Sequence, residues 1–173
     1  GDLSTSAPDS NDIGCPYRGL MPYLEADARF FFGRLDDTRV VVDNLRAYPT
    51  TVLFGPSGVG KSSLLRAGVV RRLRDGDDEV LRRYGARETV VVCVTHWRDD
   101  AGAVVAQAIH RGLSDATSAA AALSTHELDA ESIVSFCDQH SLDLLLILDQ
   151  FEEYCYYHPV DDVEQAFVSE LAV

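Results

Sequence analysis

Eight consecutive residues of this chain have types and spacing that suit phosphate chemistry. Gly55, Pro56, Ser57, Gly58, Val59, Gly60, Lys61 and Ser62 fit the pattern G-x-x-x-x-G-K-[ST] without a mismatch. Glycines let the backbone curl so that successive N–H groups point at one anion. A helix starting at about Gly60 adds the partial positive charge of its first turn. Lys61 is a flexible point charge that reaches β- and γ-phosphates. The Ser62 hydroxyl is a hard oxygen ligand suited to Mg²⁺. Ser63, next along, is placed to donate to an α-phosphate. The residues therefore predict binding of a nucleoside triphosphate or diphosphate.

A phosphate loop of this kind needs an acidic residue at the end of a neighbouring strand. Leu144 to Leu148 is an unbroken apolar run, and Asp149 follows it. Ligands of open α/β sheets bind at the carboxyl ends of the strands. Asp149 is thus expected at the sheet edge, holding Mg²⁺ through water. Gln150 occupies the position where many ATPases carry a catalytic glutamate, and Glu152 and Glu153 follow it. A carboxylate there orients or deprotonates an attacking water. The alternative role for either acid is a solvated helix N-terminus, which is favourable in itself. The residues alone leave the choice between Glu152 and Glu153 open.

These groups must be positioned by strands and helices, and the hydrophobic pattern predicts them. Residues 1–14 are polar and read as a flexible linker, and residues 15–173 as one domain. Residues 15–33 are aromatic and irregular and read as a packed lead-in. A helix is expected over 36–47, closed by Pro49. Thr51 to Phe54 reads as a short apolar strand before the loop, and a helix follows it to about Asp75. Thr89 to Thr95 is β-branched without alternation, as in a strand buried on both faces. Further helices are expected over 104–113, over 126–140 with Ser124 or Thr125 as cap, and from 161 onward. Leu144 to Leu148 is a second buried strand. This alternation predicts an α/β fold: a parallel sheet with helices on both sides, in three layers.

Composition narrows the function classes. Of 173 residues, 46% are hydrophobic and 25% charged, which excludes a mostly disordered chain. No window approaches the length of a membrane span. The four cysteines form no C-x-x-C pair, and the histidines have no ligand spacing, so reduced thiols in a cytoplasmic protein and no zinc are expected. The net charge is -13 and unevenly distributed. Residues 1–111 hold 15 acids and 15 bases, whereas residues 112–173 hold 13 acids and no Lys or Arg. Such a surface repels nucleic acid and anionic lipid. It is read as a solvated acidic face or, alternatively, the counterpart of a basic partner surface. Basic residues comprise 14 arginines and one lysine, and that lysine is Lys61.

Three stretches together, CPYRGLMPYLEADARFFFGR, VLFGPSGVGKSSLLRAG and LLLILDQFEE, resemble the bacterial novel STAND NTPases. These are signal-transduction ATPases with numerous domains, related to AAA+ and NACHT P-loop proteins. The resemblance runs from about Cys15 to Glu153. It implies that Phe31, Phe32, Gly33 and Arg34 form an apolar-Gly-Arg element that helps bind adenine and signals nucleotide state. From the residues alone, those phenylalanines are equally well core. It also favours Glu152 and Glu153 over Gln150 as supports of hydrolysis. The sequence departs from the family pattern in Leu35-Asp36-Asp37 after the Gly-Arg, and in Asp99-Asp100 after Trp97-Arg98. The family's domain also carries further strands, a sensor arginine and helical and winged-helix parts. No arginine follows Arg111, so this chain is expected to be the N-terminal part of such a domain or, alternatively, a degenerate member.

The function implied is a switch that binds ATP with Mg²⁺, hydrolyses it to ADP, and couples nucleotide state to homo-oligomerisation or to fused or partner effector and sensor domains, in regulation or defence. The competing reading is a nucleotide-responsive binding or scaffold module with little or no hydrolysis. A guanylate kinase would carry the loop near its start and a basic, Tyr-containing site soon after, whereas 54 residues precede this one. A transporter ATPase would need an L-S-G-G-Q signature. A GTPase would need an N-K-x-D lysine that this chain lacks. His96 and Trp97 read as a packed pair at a strand end, with lining of the site as the alternative, and Tyr154, Tyr156 and Tyr157 read as core packing rather than a ligand platform.

Overall fold

The computed structural model describes residues 19, 21–75, 87–123 and 128–158. The expected linker at 1–14 and the helix from 161 lie outside these residues. Among the described residues the fold is mixed α/β around a small parallel sheet of two strands. Strand β1 is Glu88–Val94 and strand β2 is Leu142–Leu148, paired in register from Glu88 with Leu142 to Val94 with Leu148. Both strands are centred on runs of Val, Leu and Ile, Val90–Val92 and Leu144–Leu148, as strands covered on both faces favour.

Each face of the sheet has its own core. Val90, Val92 and Val94 pack with helices α3 (Ala101–Ala116) and α4 (Ala130–His140) through Val105, Ile109, Leu113 and Phe136. Val91 and Ile147 face the other way, toward Val41 and Val42 of helix α1 (Leu35–Ala47) and Leu64, Val69 and Val70 of the helix after the glycine loop. That helix, α2, runs without a break through Lys61–Ser63, a π-wound stretch Leu64–Val70, and Arg71–Asp75. It contacts α1 closely at Gly68, where a Cβ would lie 2.6 Å from Thr38 Oγ1 and 3.3 Å from the Phe31 ring. Any larger residue there would push the two helices apart.

The helix boundaries follow from caps. Asp100 Oδ1 accepts from the Ala103 amide at 3.0 Å and starts α3. The departure from the family pattern at Asp99-Asp100 thus supplies a helix cap. Helix α4 starts later than expected, because Asp129 caps it through the Ser132 amide at 2.7 Å. The expected caps, Ser124 and Thr125, lie outside the described residues. The lead-in contains a 3₁₀ turn at Glu25–Phe30, and a short helix α5 at Glu152–Tyr157 holds the acids that follow β2.

One expectation is corrected. Thr51 to Phe54 has no regular secondary structure and forms no ladder with either strand. Leu53 packs toward the core, whereas Val52 and Phe54 are 83% and 94% exposed. The short apolar run was read as a strand, yet only its inner face is covered among the described residues. The three-layer sheet expected from sequence is therefore represented here by two strands with helices on both faces. This arrangement is compatible with a P-loop-like core.

Candidate functional site

The glycine loop joins Phe54 to α2. Gly58 and Gly60 adopt φ of +81° and +82°, left-handed values that side-chain-bearing residues resist. These two positions turn the chain sharply enough for Lys61 to begin a helix immediately. Lys61 Nζ reaches back over the loop and donates to the carbonyls of Gly55 at 2.8 Å and Pro56 at 3.2 Å. The ammonium is thus held over the concave side of the loop. Ser63 Oγ accepts from the Tyr23 amide at 3.1 Å, which ties the lead-in to the first turn of α2 and leaves the Ser63 hydroxyl proton able to donate elsewhere.

Ser62 and Asp149 meet across 87 residues of sequence. Ser62 Oγ donates to Asp149 Oδ1 at 2.9 Å. Asp149 is only 3% exposed, and its backbone is fixed on both sides. Its N–H donates to the Val94 carbonyl at 2.9 Å, continuing the strand ladder. Its carbonyl accepts from Trp97 Nε1 at 2.8 Å. Trp97 is fully buried, with Phe151 and Tyr154 packed edge-on against its ring, and its own carbonyl contacts His158 Nε2 at 2.7 Å. Gln150, next to Asp149, takes a left-handed φ of 58°, so the chain turns abruptly out of β2 into α5.

Arg66 completes the group. Its Nε and Nη2 donate to Asp149 Oδ2 at 3.1 and 2.9 Å. Sequence reading missed this residue. The signal was present, since Ser62 and Arg66 are one helical turn apart and share a face. Sequence reading favoured packing over lining the site for Trp97. It is packed, and its indole additionally fixes the acidic turn, whereas His96 is exposed. Nearby Cys93 is kept a neutral thiol: burial pushes its pKa up, and the charge of Asp149 adds to this.

The apolar-Gly-Arg element divides by role. Phe31 is half-buried, packs into the α1–α2 core and meets the Tyr23 ring at 6.1 Å. Phe32 is 79% exposed. Arg34 Nη1 donates to the Val59 carbonyl within the loop at 2.8 Å, and Arg34 Nε pairs with Asp37 at 2.7 Å. The lead-in thereby touches the glycine loop directly. Glu153 is half-buried and Glu152 exposed in the first turn of α5. Of the tyrosines, Tyr154 is core, Tyr156 is 79% exposed, and Tyr157 lies under the Arg98 guanidinium at 5.1 Å. In the acidic half, Asp138 and Asp143 both pair with Arg87, at 2.8 and 2.9 Å.

Chemically, the arrangement offers a curled backbone loop, one ammonium, and a hydroxyl beside a buried carboxylate. No cluster of three or more His, Cys, Asp or Glu capable of holding a metal occurs among the described residues. A magnesium–nucleotide site does not need one, because phosphates and water fill most of the coordination sphere. The donor set of Ser62 Oγ and Asp149 Oδ1 fits that requirement in type and spacing. Among the described residues no helix is long and apolar enough to cross a membrane.

A family model described as Novel STAND NTPase 1 matches residues 16–173, nearly the whole chain. No curated protein and no solved structure matches it.

Proposed function

The chain belongs to the novel STAND NTPase 1 family, and from that premise we propose that it binds ATP with Mg²⁺ and acts as a nucleotide-state switch. The observation that carries this reading is the 2.9 Å contact of Ser62 Oγ with Asp149 Oδ1. It joins the end of the glycine loop to the end of β2, as a metal-assisted phosphate site requires. Gly55 through Ser63 would hold the phosphates through loop amides, Lys61 and the hydroxyls. Ser62 and Asp149 would hold Mg²⁺, which when bound neutralises phosphate charge and orients the terminal phosphate.

The rest of the site has matching parts. Phe32, exposed beside Gly33 and an Arg34 that contacts Val59, offers an aromatic face for a base and a route from the loop to α1. Glu153 is partly buried whereas Glu152 is exposed, and we assign Glu153 the water-orienting role. Hydrolysis yields ADP. The output is a change of assembly or of an attached effector or sensor, in the cytoplasm, on a three-layer P-loop core. The reading of slow turnover is favoured by one observation: Arg66 occupies Asp149 Oδ2.

Calorimetry with ATP, ADP and GTP, with and without Mg²⁺, tests the proposal when phosphate release is followed in the same samples. Magnesium-strengthened ATP binding is expected. An absence of binding to any of the three nucleotides would overturn it.

A further inference from the structure

The two oxygens of the Asp149 carboxylate have different partners. Oδ1 takes the Ser62 hydroxyl, and Oδ2 takes two N–H groups of Arg66. Both partners come from one face of α2. Asp149 is the anchored member: Val94 and Trp97 hold its amide and carbonyl, and its side chain is 4% exposed. Arg66 is the movable member. Its side chain is 21% exposed and lines a cleft of about 260 Å³. The same cleft is bordered by Glu25, Arg74, Cys93 and Thr95. Glu25 in that cleft is paired with Arg74 at 2.7 Å and is a carboxylate within the same small space.

A guanidinium fork on a carboxylate is a charge-assisted pair, stronger than a neutral hydrogen bond. A divalent cation drawn to the same buried carboxylate meets the positive charge of Arg66 a few ångströms away, in surroundings where screening is weak. The two cations therefore compete for Asp149. Resting on the nucleotide-site reading above, we propose that Arg66 is an intramolecular counter-ion of Asp149 that the metal of the metal–nucleotide complex must displace. Arg66 thus sets how much Mg²⁺ the site requires. On exchange its guanidinium turns into the Glu25 cleft, and nucleotide bound without metal leaves the Arg66–Asp149 pair closed. Metal-free and metal-loaded nucleotide complexes then differ in the partner of one buried carboxylate. The chain's single tryptophan, Trp97, is bonded to the backbone of that same residue.

The test is a Mg²⁺ titration of the chain saturated with ADP, read by calorimetry and by Trp97 fluorescence, for the parent, Arg66→Gln and Arg66→Lys. ADP affinity in EDTA is the reference for each protein. Loss of the charged fork should lower the half-saturating Mg²⁺ concentration of Arg66→Gln by about tenfold, the equivalent of one charge-assisted hydrogen bond. Arg66→Lys keeps the charge without the fork and should fall between the two. An unchanged or raised Mg²⁺ requirement in Arg66→Gln overturns the exchange. If Arg66→Gln melts far below the parent, Arg66→Lys decides by the same criterion. Failure of the parent to bind ADP either in EDTA or with Mg²⁺ sinks the nucleotide reading itself. Normal ADP binding with an unaltered Mg²⁺ requirement sinks only the role of Arg66.

Discussion

The Trp97 indole, itself fully buried, donates to the backbone carbonyl of Asp149 at 2.8 Å. This contact sets the direction in which the chain leaves β2, because Gln150 turns with a left-handed φ immediately afterwards. A packing residue on one strand end thereby aims the acidic group of its neighbour. Trp97→Phe keeps most of the ring packing and removes the donor, leaving a buried carbonyl unpaired. The expected loss is about 1–3 kcal/mol of stability by urea unfolding. A loss near zero would show that the carbonyl finds another donor and that Trp97 does not fix the turn.

Lys61 makes its two hydrogen bonds to loop carbonyls, and it lies outside both hydrophobic cores. Lys61→Ala should therefore abolish ATP binding by calorimetry and change unfolding stability by no more than about 1 kcal/mol. Binding as tight as that of the parent would remove the phosphate assignment.

Glu152 and Glu153 share the first turn of α5 but differ in exposure. Glu153→Gln should retain ATP binding and lose about 100-fold in phosphate release, within the usual range for a general base. Glu152→Gln should retain most release. The reverse ranking would transfer the role to Glu152.

Asp129 caps α4, and its hydrogen bonds from Ser132, side chain first and amide second, hold its carboxyl below the ordinary aspartate value. The folded pKa is thus lower than the unfolded one. The stabilisation is present above the unfolded value of about 3.9 and is lost as pH falls through the lower folded value. Thermal melts of the parent and Asp129→Ala should differ at pH 7 and converge as the pH drops below about 4. A difference that persists unchanged at pH 2 would mean the carboxylate charge is not what caps the helix.

Short-range pattern was enough to identify the glycine loop, the two buried strands, helices α1 to α4 and the acidic group after β2. Each of these depends on neighbouring residues: glycine at turns, β-branched runs in strands, helical spacing of Val41, Val42 and Leu45. Helix α5 entered only as the alternative role of Glu152 and Glu153 at a helix N-terminus, because the six residues EEYCYY carry too little periodicity. Tertiary structure alone decided which groups meet. Arg66 and Asp149 are 83 residues apart, and Trp97 and Asp149 are 52 apart. Nothing in either local stretch specifies the other. Packing of α2 on one face of the sheet, and of the Trp97 cluster on the other, brings them to one strand end. The same packing separates Phe31 from Phe32 and leaves Val52 and Phe54 in solvent. Residue types set local backbone conformation, whereas the burial of each face sets which polar groups must find each other.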